Sequence, residues 1–121
     1  MSYSSIMKDV AAILTTLNID YETGVYTAQP APATFCVIIP GTETPECADD
    51  KPDNVVSTAT IELYSTGNYL DTARKIMTQI VDNGLTLEGG EFVEKEQDTG
   101  YNHYAIDVSK TQTWEDIKWQ Q

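Results

Sequence analysis

Ser57–Val108 reads STATIELYSTGNYLDTARKIMTQIVDNGLTLEGGEFVEKEQDTGYNHYAIDV, and its apolar period changes twice. The first part belongs to an alternating run from Val55 to Ser65. Val55, Ser57, Ala59, Ile61 and Leu63 share one face; Val56, Thr58, Thr60, Glu62 and Tyr64 share the other. That is a long strand, and the first set is the core face, because the second holds Glu62 and the threonines. Thr66-Gly67 makes the exit turn. Asn68 is then a good N-cap with Asp71 three residues on, a variant of the capping box. Tyr69, Leu70, Ala73, Ile76, Met77, Ile80 and Val81 recur at helical spacing and predict one buried stripe. Asn83-Gly84 closes this helix in the left-handed manner. Leu85-Thr86-Leu87 enters a third strand, with Gly89-Gly90 as a turn or bulge beside it and Phe92-Val93 as a short apolar piece. Asp98-Thr99-Gly100 turns the chain back. Tyr101–Val108 is the fourth strand, with Tyr104, Ile106 and Val108 on one face.

Upstream, Ile6, Met7, Val10, Ile13, Leu14 and Leu17 give a first amphipathic helix over residues 4–17. Ser2, Ser4 and Ser5 are all eligible N-caps. Residues 18–32 carry Gly24, Pro30 and Pro32 and read as a connecting loop, with room for a short extended piece at Val25-Tyr26. Thr34–Ile39 is β-branched and apolar, a strand buried on both faces or covered by a helix. Thr42–Asn54 (TETPECADDKPDN) has two prolines, five acids and no apolar period. It reads as a long solvated loop, and loops of that length are often functional.

Downstream of Ser109 the pattern dissolves into KTQTWEDIKWQQ. The expected organisation is therefore an α+β domain over residues 1–108 and a C-terminal tail over 109–121. The element order is helix, strand, strand, helix, strand, strand. Its economical architecture is a single, mostly antiparallel four-stranded sheet with two helices packed on one face. The other sheet face, with Glu62 and Tyr64, is left more open.

The 121 residues carry a net charge of −12. Such a balance argues against general affinity for DNA or anionic membranes, which need Lys and Arg. It does not exclude standing beside DNA, because an acidic wall repels the polymer and some channels need that property. No apolar run is long enough to span a bilayer, and the N-terminus lacks the features of a signal peptide. The expected setting is a cytosol or a particle assembled there. In that setting Cys36 and Cys47 are expected as free thiols.

Catalytic constellations are missing, and an enzyme is not expected. His103, the single histidine, has no nucleophile motif around it and reads as a surface or interface residue. Glu88, Glu91, Glu94 and Glu96 line a hairpin with Gly and Lys95, and a solvated acidic face accounts for them better than a carboxylate pair. The Glu43–Asp53 segment does not match an EF-hand, so calcium is not its default reading. No phosphate loop or dinucleotide fingerprint occurs, and no cofactor is expected. Trp114 and Trp119 sit in a polar tail. They either fold back on the sheet or dock on a neighbouring subunit, since aromatics are enriched at interface hot spots.

Ile61-Glu62-Leu63-Tyr64, Asn83-Gly84-Leu85, Glu91-Phe92-Val93-Glu94 and Tyr101–Ile106, in this order and with the upstream helix and Phe35–Ile39 strand, resemble the tail terminator family of long-tailed bacteriophages. These are also called tail completion or tail-to-head joining proteins. The likeness covers most of residues 4–108. It implies a virion structural protein, built in the host cytoplasm, that forms a homohexameric ring at the head–tail interface. Such a ring stops the tube built by the major tail tube protein, docks the head-completion or connector protein, and lets DNA pass without specific binding. The Thr42–Asn54 segment and the tryptophan tail depart from the family pattern. Glu43, Glu46, Asp49, Asp50, Trp114 and Trp119 are the expected subunit or partner contacts. The alternatives are another head-completion or minor tail protein of a phage, or an acidic DNA-mimic inhibitor.

Overall fold

A computed structural model describes residues 5–118. Helix α1 (Ile6–Thr16) starts at Ser5, whose hydroxyl accepts the Lys8 amide at 3.2 Å. It stops where Asn18 turns left-handed, at φ 60°, and the Ile19 amide reaches back to the Leu14 carbonyl. Next come β1 (Asp20–Thr23), β2 (Thr34–Ala48), β3 (Lys51–Ser65), helix α2 (Tyr69–Asp82), β4 (Thr86–Lys95), β5 (Asn102–Thr113) and a single turn, α3 (Trp114–Ile117). Asn68 caps α2 by accepting the Asp71 amide at 3.1 Å. Gly84, at φ +78°, ends it, with the Leu85 amide bonded to the Ile80 carbonyl.

The fold is α+β with one sheet, but the sheet has five strands in the order β1-β2-β3-β5-β4. β2, β3, β5 and β4 pair antiparallel in succession, as expected; β1 is parallel to β2. DYET was missed because it is four half-exposed residues without alternation, and the extended piece lies there rather than at Val25-Tyr26. A parallel pair needs a crossover. Here it is the segment 24–33, which passes over the sheet face away from the helices. Phe35, Cys36, Val37 and Ile38 are consequently all buried, Cys36 and Ile38 in the helix-side core and the other two under the crossover.

Helices α1 and α2 cover the core face. Ile38, Ile61 and Ile106 stand side by side across β2, β3 and β5 and are shielded from water there. Val10, Leu14, Ala73, Ile76 and Ile80 close over them. Two members of the expected α2 stripe are not core: Leu70 and Val81 are 39% and 59% exposed. They flank the arc that meets the sheet, which is narrower than the apolar spacing suggested.

Three further expectations change. The segment expected as a loop over Thr42–Asn54 is a β-hairpin, with Pro45 opposite Val55, Cys47 opposite Pro52 and Ala48 opposite Lys51. Proline is tolerated on edge strands. Beyond Ile38, β2 has a neighbour on one side only, and β3 loses β5 before Pro52. The strand expected to end at Val108 runs to Thr113. Its last part hides from an apolar pattern because polar groups close the core there: Lys110 donates to Asp9 of α1 at 2.6 Å, and Gln112 is buried opposite Val55. The third strand is continuous over Thr86–Lys95, with irregular register at Leu87/Gly89 and Phe92/Glu94, so the glycine bulge is present.

Cys36 and Cys47 are both free. They lie on one strand eleven residues apart, about 36 Å at 3.3 Å per residue, well beyond disulfide reach. Burial pushes the Cys36 thiol up to about 12, whereas Cys47 is exposed. Thiolate is the reactive form. Titration with a thiol reagent is therefore expected to find one fast-reacting group in the native protein and two after denaturation; two fast thiols in the native state would contradict this packing.

Candidate functional site

Two surfaces lie at opposite ends of β3. The first is the arm formed by the outer halves of β2 and β3. Residues 41–53 are exposed throughout. At its base, Gly41 admits the sheet closely: a Cβ there would fall 2.1 Å from Thr58 Oγ1 and 2.8 Å from the Thr58 carbonyl oxygen. The Thr42 amide donates to Thr58 Oγ1 at 2.8 Å. At the tip, Asp49 and Asp50 take φ 53° and 64°, the signs a two-residue type I′ turn requires. Glu43 and Glu46 project from β2 below them.

Trp114 belongs to the same end. It follows Thr113, which pairs with Asn54 at the base of the arm, and α3 packs on β3 and β5. Thr113 caps that turn by accepting the Asp116 amide at 3.1 Å. Trp114 remains 41% exposed. Glu43, Glu46, Asp49, Asp50 and Trp114 thus cluster at one end of the sheet, although Trp114 is remote in sequence. Trp119 lies outside the described residues.

The second surface is a cleft on the open face at the other end of β3. Phe35, Tyr64 and His103 are consecutive cross-strand neighbours on β2, β3 and β5. Their rings form a stack, with centroids 5.0 Å apart for Phe35–Tyr64 and 4.4 Å for Tyr64–His103. Tyr26 extends it at 4.1 Å from Phe35. Tyr101 stands edge-on to Phe35 at 5.3 Å and donates its hydroxyl to the Pro32 carbonyl at 2.6 Å. The crossover is held down from its other end by Glu22, whose carboxylate accepts the amides of Thr27 and Ala28 and the Thr27 hydroxyl. These hydrogen bonds hold the Glu22 carboxyl below its usual range.

Between crossover and β4–β5 turn the cleft encloses about 520 Å³. Glu62 lies in it and contacts His103 Nε2. Partial burial, followed by the carboxylates of Glu62, Glu96 and Glu94, pushes the Tyr64 phenol above its usual range. Among the described residues, no group of three or more His, Cys, Asp or Glu is placed to hold a metal ion.

No family model matches the chain, and no curated protein does. Among solved structures, a chain from the virion of a native gene transfer agent particle is similar. The two are 13% identical, with a TM-score of 0.50 over 90% of this chain and 92% of that one. The likeness is one of fold.

The sequence had named the arm carboxylates but not their hairpin. It missed the cleft altogether. The one available signal was alternation, which puts Glu62 with Tyr64 on the open face and His103 away from Tyr104. The contact between Tyr26, Phe35, Tyr64 and His103 depends on strand register and on the crossover, which no local pattern carries.

Proposed function

We propose that this chain is a structural protein of a phage-like virion, and within it the tail terminator: a ring that ends the tail tube and joins it to the head connector. The fold shared along nine-tenths of the chain with a virion component carries the reading. The resemblance of Ile61–Tyr64, Asn83–Leu85 and Tyr101–Ile106 to the terminator pattern supplies the finer assignment.

The mechanism is surface complementarity without catalysis. A homohexameric ring uses one head-to-tail contact repeated until it closes. A two-stranded arm has too little core of its own to be stable alone. Seated on a neighbouring subunit or on the tube protein, the arm and Trp114 would gain that missing partner. The opposite end is then free to meet the connector. The net charge of −12 is uneven: α1 and α2 carry three acids and three bases, whereas residues 41–53 carry five acids and one lysine and residues 86–95 three acids and one lysine. A ring wall built from the arm or from β4 is negative, and DNA passes such a wall without sticking. The virion is the resulting location, reached from the host cytoplasm. A head-completion or minor tail role shares the same fold support and differs in position within the particle. The charge alone favours an acidic inhibitor, which would bind a basic protein and form no ring.

The purified chain added to growing tubes of its cognate tail tube protein is expected to stop elongation and leave a ring at one tube end. Tubes that lengthen unchanged, with bare ends, would refute the terminator role.

A further inference from the structure

We propose that the outer edge of β4 takes up an extended segment of a partner protein, one that alternates apolar and basic residues, and adds it to the sheet as a further strand. The inference stands on this edge and does not depend on the chain capping a tail.

Three observations converge there. The first is an unpaired backbone. β4 is the last strand of the sheet, and among the described residues no strand pairs with its outer side. Thr86–Lys95 contains no proline, so no donor is missing along that edge. The other long free edge, the outer half of β2, carries Pro40 and Pro45. The second is an apolar groove on the helix side. Leu70, Met77 and Val81 share one side of α2 by helical spacing. Met77 and Val81 border a groove with Leu87 of β4, and farther along β4 the Phe92 ring lies 5.5 Å from that of Tyr69. Leu70, Val81 and Phe92 are all exposed. The third is charge on the other face. Glu91 and Glu94 stand opposite Ala105 and His103, on the open side of the sheet. Both are exposed, and the ion pairs among the described residues include neither.

An alternating strand matches all three. Its backbone satisfies the edge by strand addition. Its successive side chains point to opposite faces, so the apolar ones reach Met77, Val81, Leu87 and Phe92 while Lys or Arg reach Glu91 and Glu94. Other occupants match less. A helix covers the apolar groove but leaves the edge donors and acceptors unpaired. A second copy offering its own β4 brings Glu88, Glu91 and Glu94 against themselves, and one offering its arm brings five carboxylates and two prolines. Nucleic acid brings phosphates. The carboxylates therefore keep like chains off an edge that stays open to a basic one.

The test uses the full chain and three short probes. The first is acetyl-Lys-Val-Lys-Val-Lys-Val-Lys-amide. The second has the same composition without alternation, acetyl-Lys-Lys-Val-Val-Val-Lys-Lys-amide, and the third is the first with glutamate for lysine. NMR titration at physiological salt reads chemical shifts and amide exchange. The first probe is expected to give saturable shifts confined to β4 and the Leu70–Val81 side of α2, with slower exchange of β4 amides. The other two are expected to bind more weakly by about tenfold or more. Val81→Lys and Glu91→Lys, both surface changes, are each expected to weaken the first probe about threefold or more. Equal binding of the second probe marks diffuse charge attraction and would overturn the proposal; equal binding of the third would overturn the basic occupant. Unsaturable shifts, shifts without slower β4 exchange, or variants that bind like the parent would overturn strand addition at this edge. Shifts in β4 that follow protein concentration without any probe would assign the edge to a second copy and overturn it too.

Discussion

Replacing Ile61 with alanine will cost the fold about 3–4 kcal/mol, a large part of the roughly 5–15 kcal/mol that holds a domain of this size together. Ile61 is wholly buried on the central strand. It stands between Ile38 and Ile106 across the register and beneath the two helices. The surrounding β-branched side chains are stiff and cannot collapse into the space left behind. Thermal unfolding should fall by roughly 10–20 °C, and urea melts should show the loss at unchanged slope. Thr60→Ala, one residue away on the open face, removes only a half-exposed hydroxyl that donates to Asp107 at 2.7 Å and should cost about 1 kcal/mol. Similar losses for the two variants would contradict the assignment of faces.

The second large effect is on assembly and leaves the fold alone. Replacing residues 47–53 with Asn-Gly joins Glu46 to Asn54, already paired neighbours, through a turn of the same type. Every residue removed is exposed. Stability should stay within about 1 kcal/mol of the parent. If the arm makes the ring or tube contact, the shortened chain should lose tube capping by about tenfold or more, because the outer part of that surface, with Asp49 and Asp50, has gone. A folded, shortened chain that caps tubes as well as the parent would remove the arm from the interface.

The parts of this fold that sequence could specify are those with strong contrast between their two sides. Val55–Leu63 alternates because helices cover one face and water reaches much of the other. The spacing of Ala73, Ile76 and Ile80 marks α2 for the same reason. Asn68 and Gly84 are visible because their local geometry needs those residue types. Elements without contrast stayed hidden. The arm is wet on both faces, so its sequence looks like a loop although its backbone is paired. The end of β5 is closed by an ion pair and a buried glutamine, Lys110–Asp9 and Gln112, so the apolar signal stops before the strand does. β1 is too short to show a period. For the candidate sites, composition flagged Glu43, Glu46, Asp49, Asp50 and Trp114, while their convergence at one end of β3 required the Asn54–Thr113 pairing. The aromatic cleft was least legible, because its rings come from four segments that only register and the parallel crossover bring together.

If this chain forms the ring that ends a tail tube, tails made without it lose control of their length. Electron microscopy of particles from cells in which the coding sequence has been deleted should show tubes of uncontrolled length, unattached to heads. Supplying the chain in trans should restore uniform tails with a six-fold ring at the head-proximal end. Tails of normal length joined to heads in its absence would contradict the account.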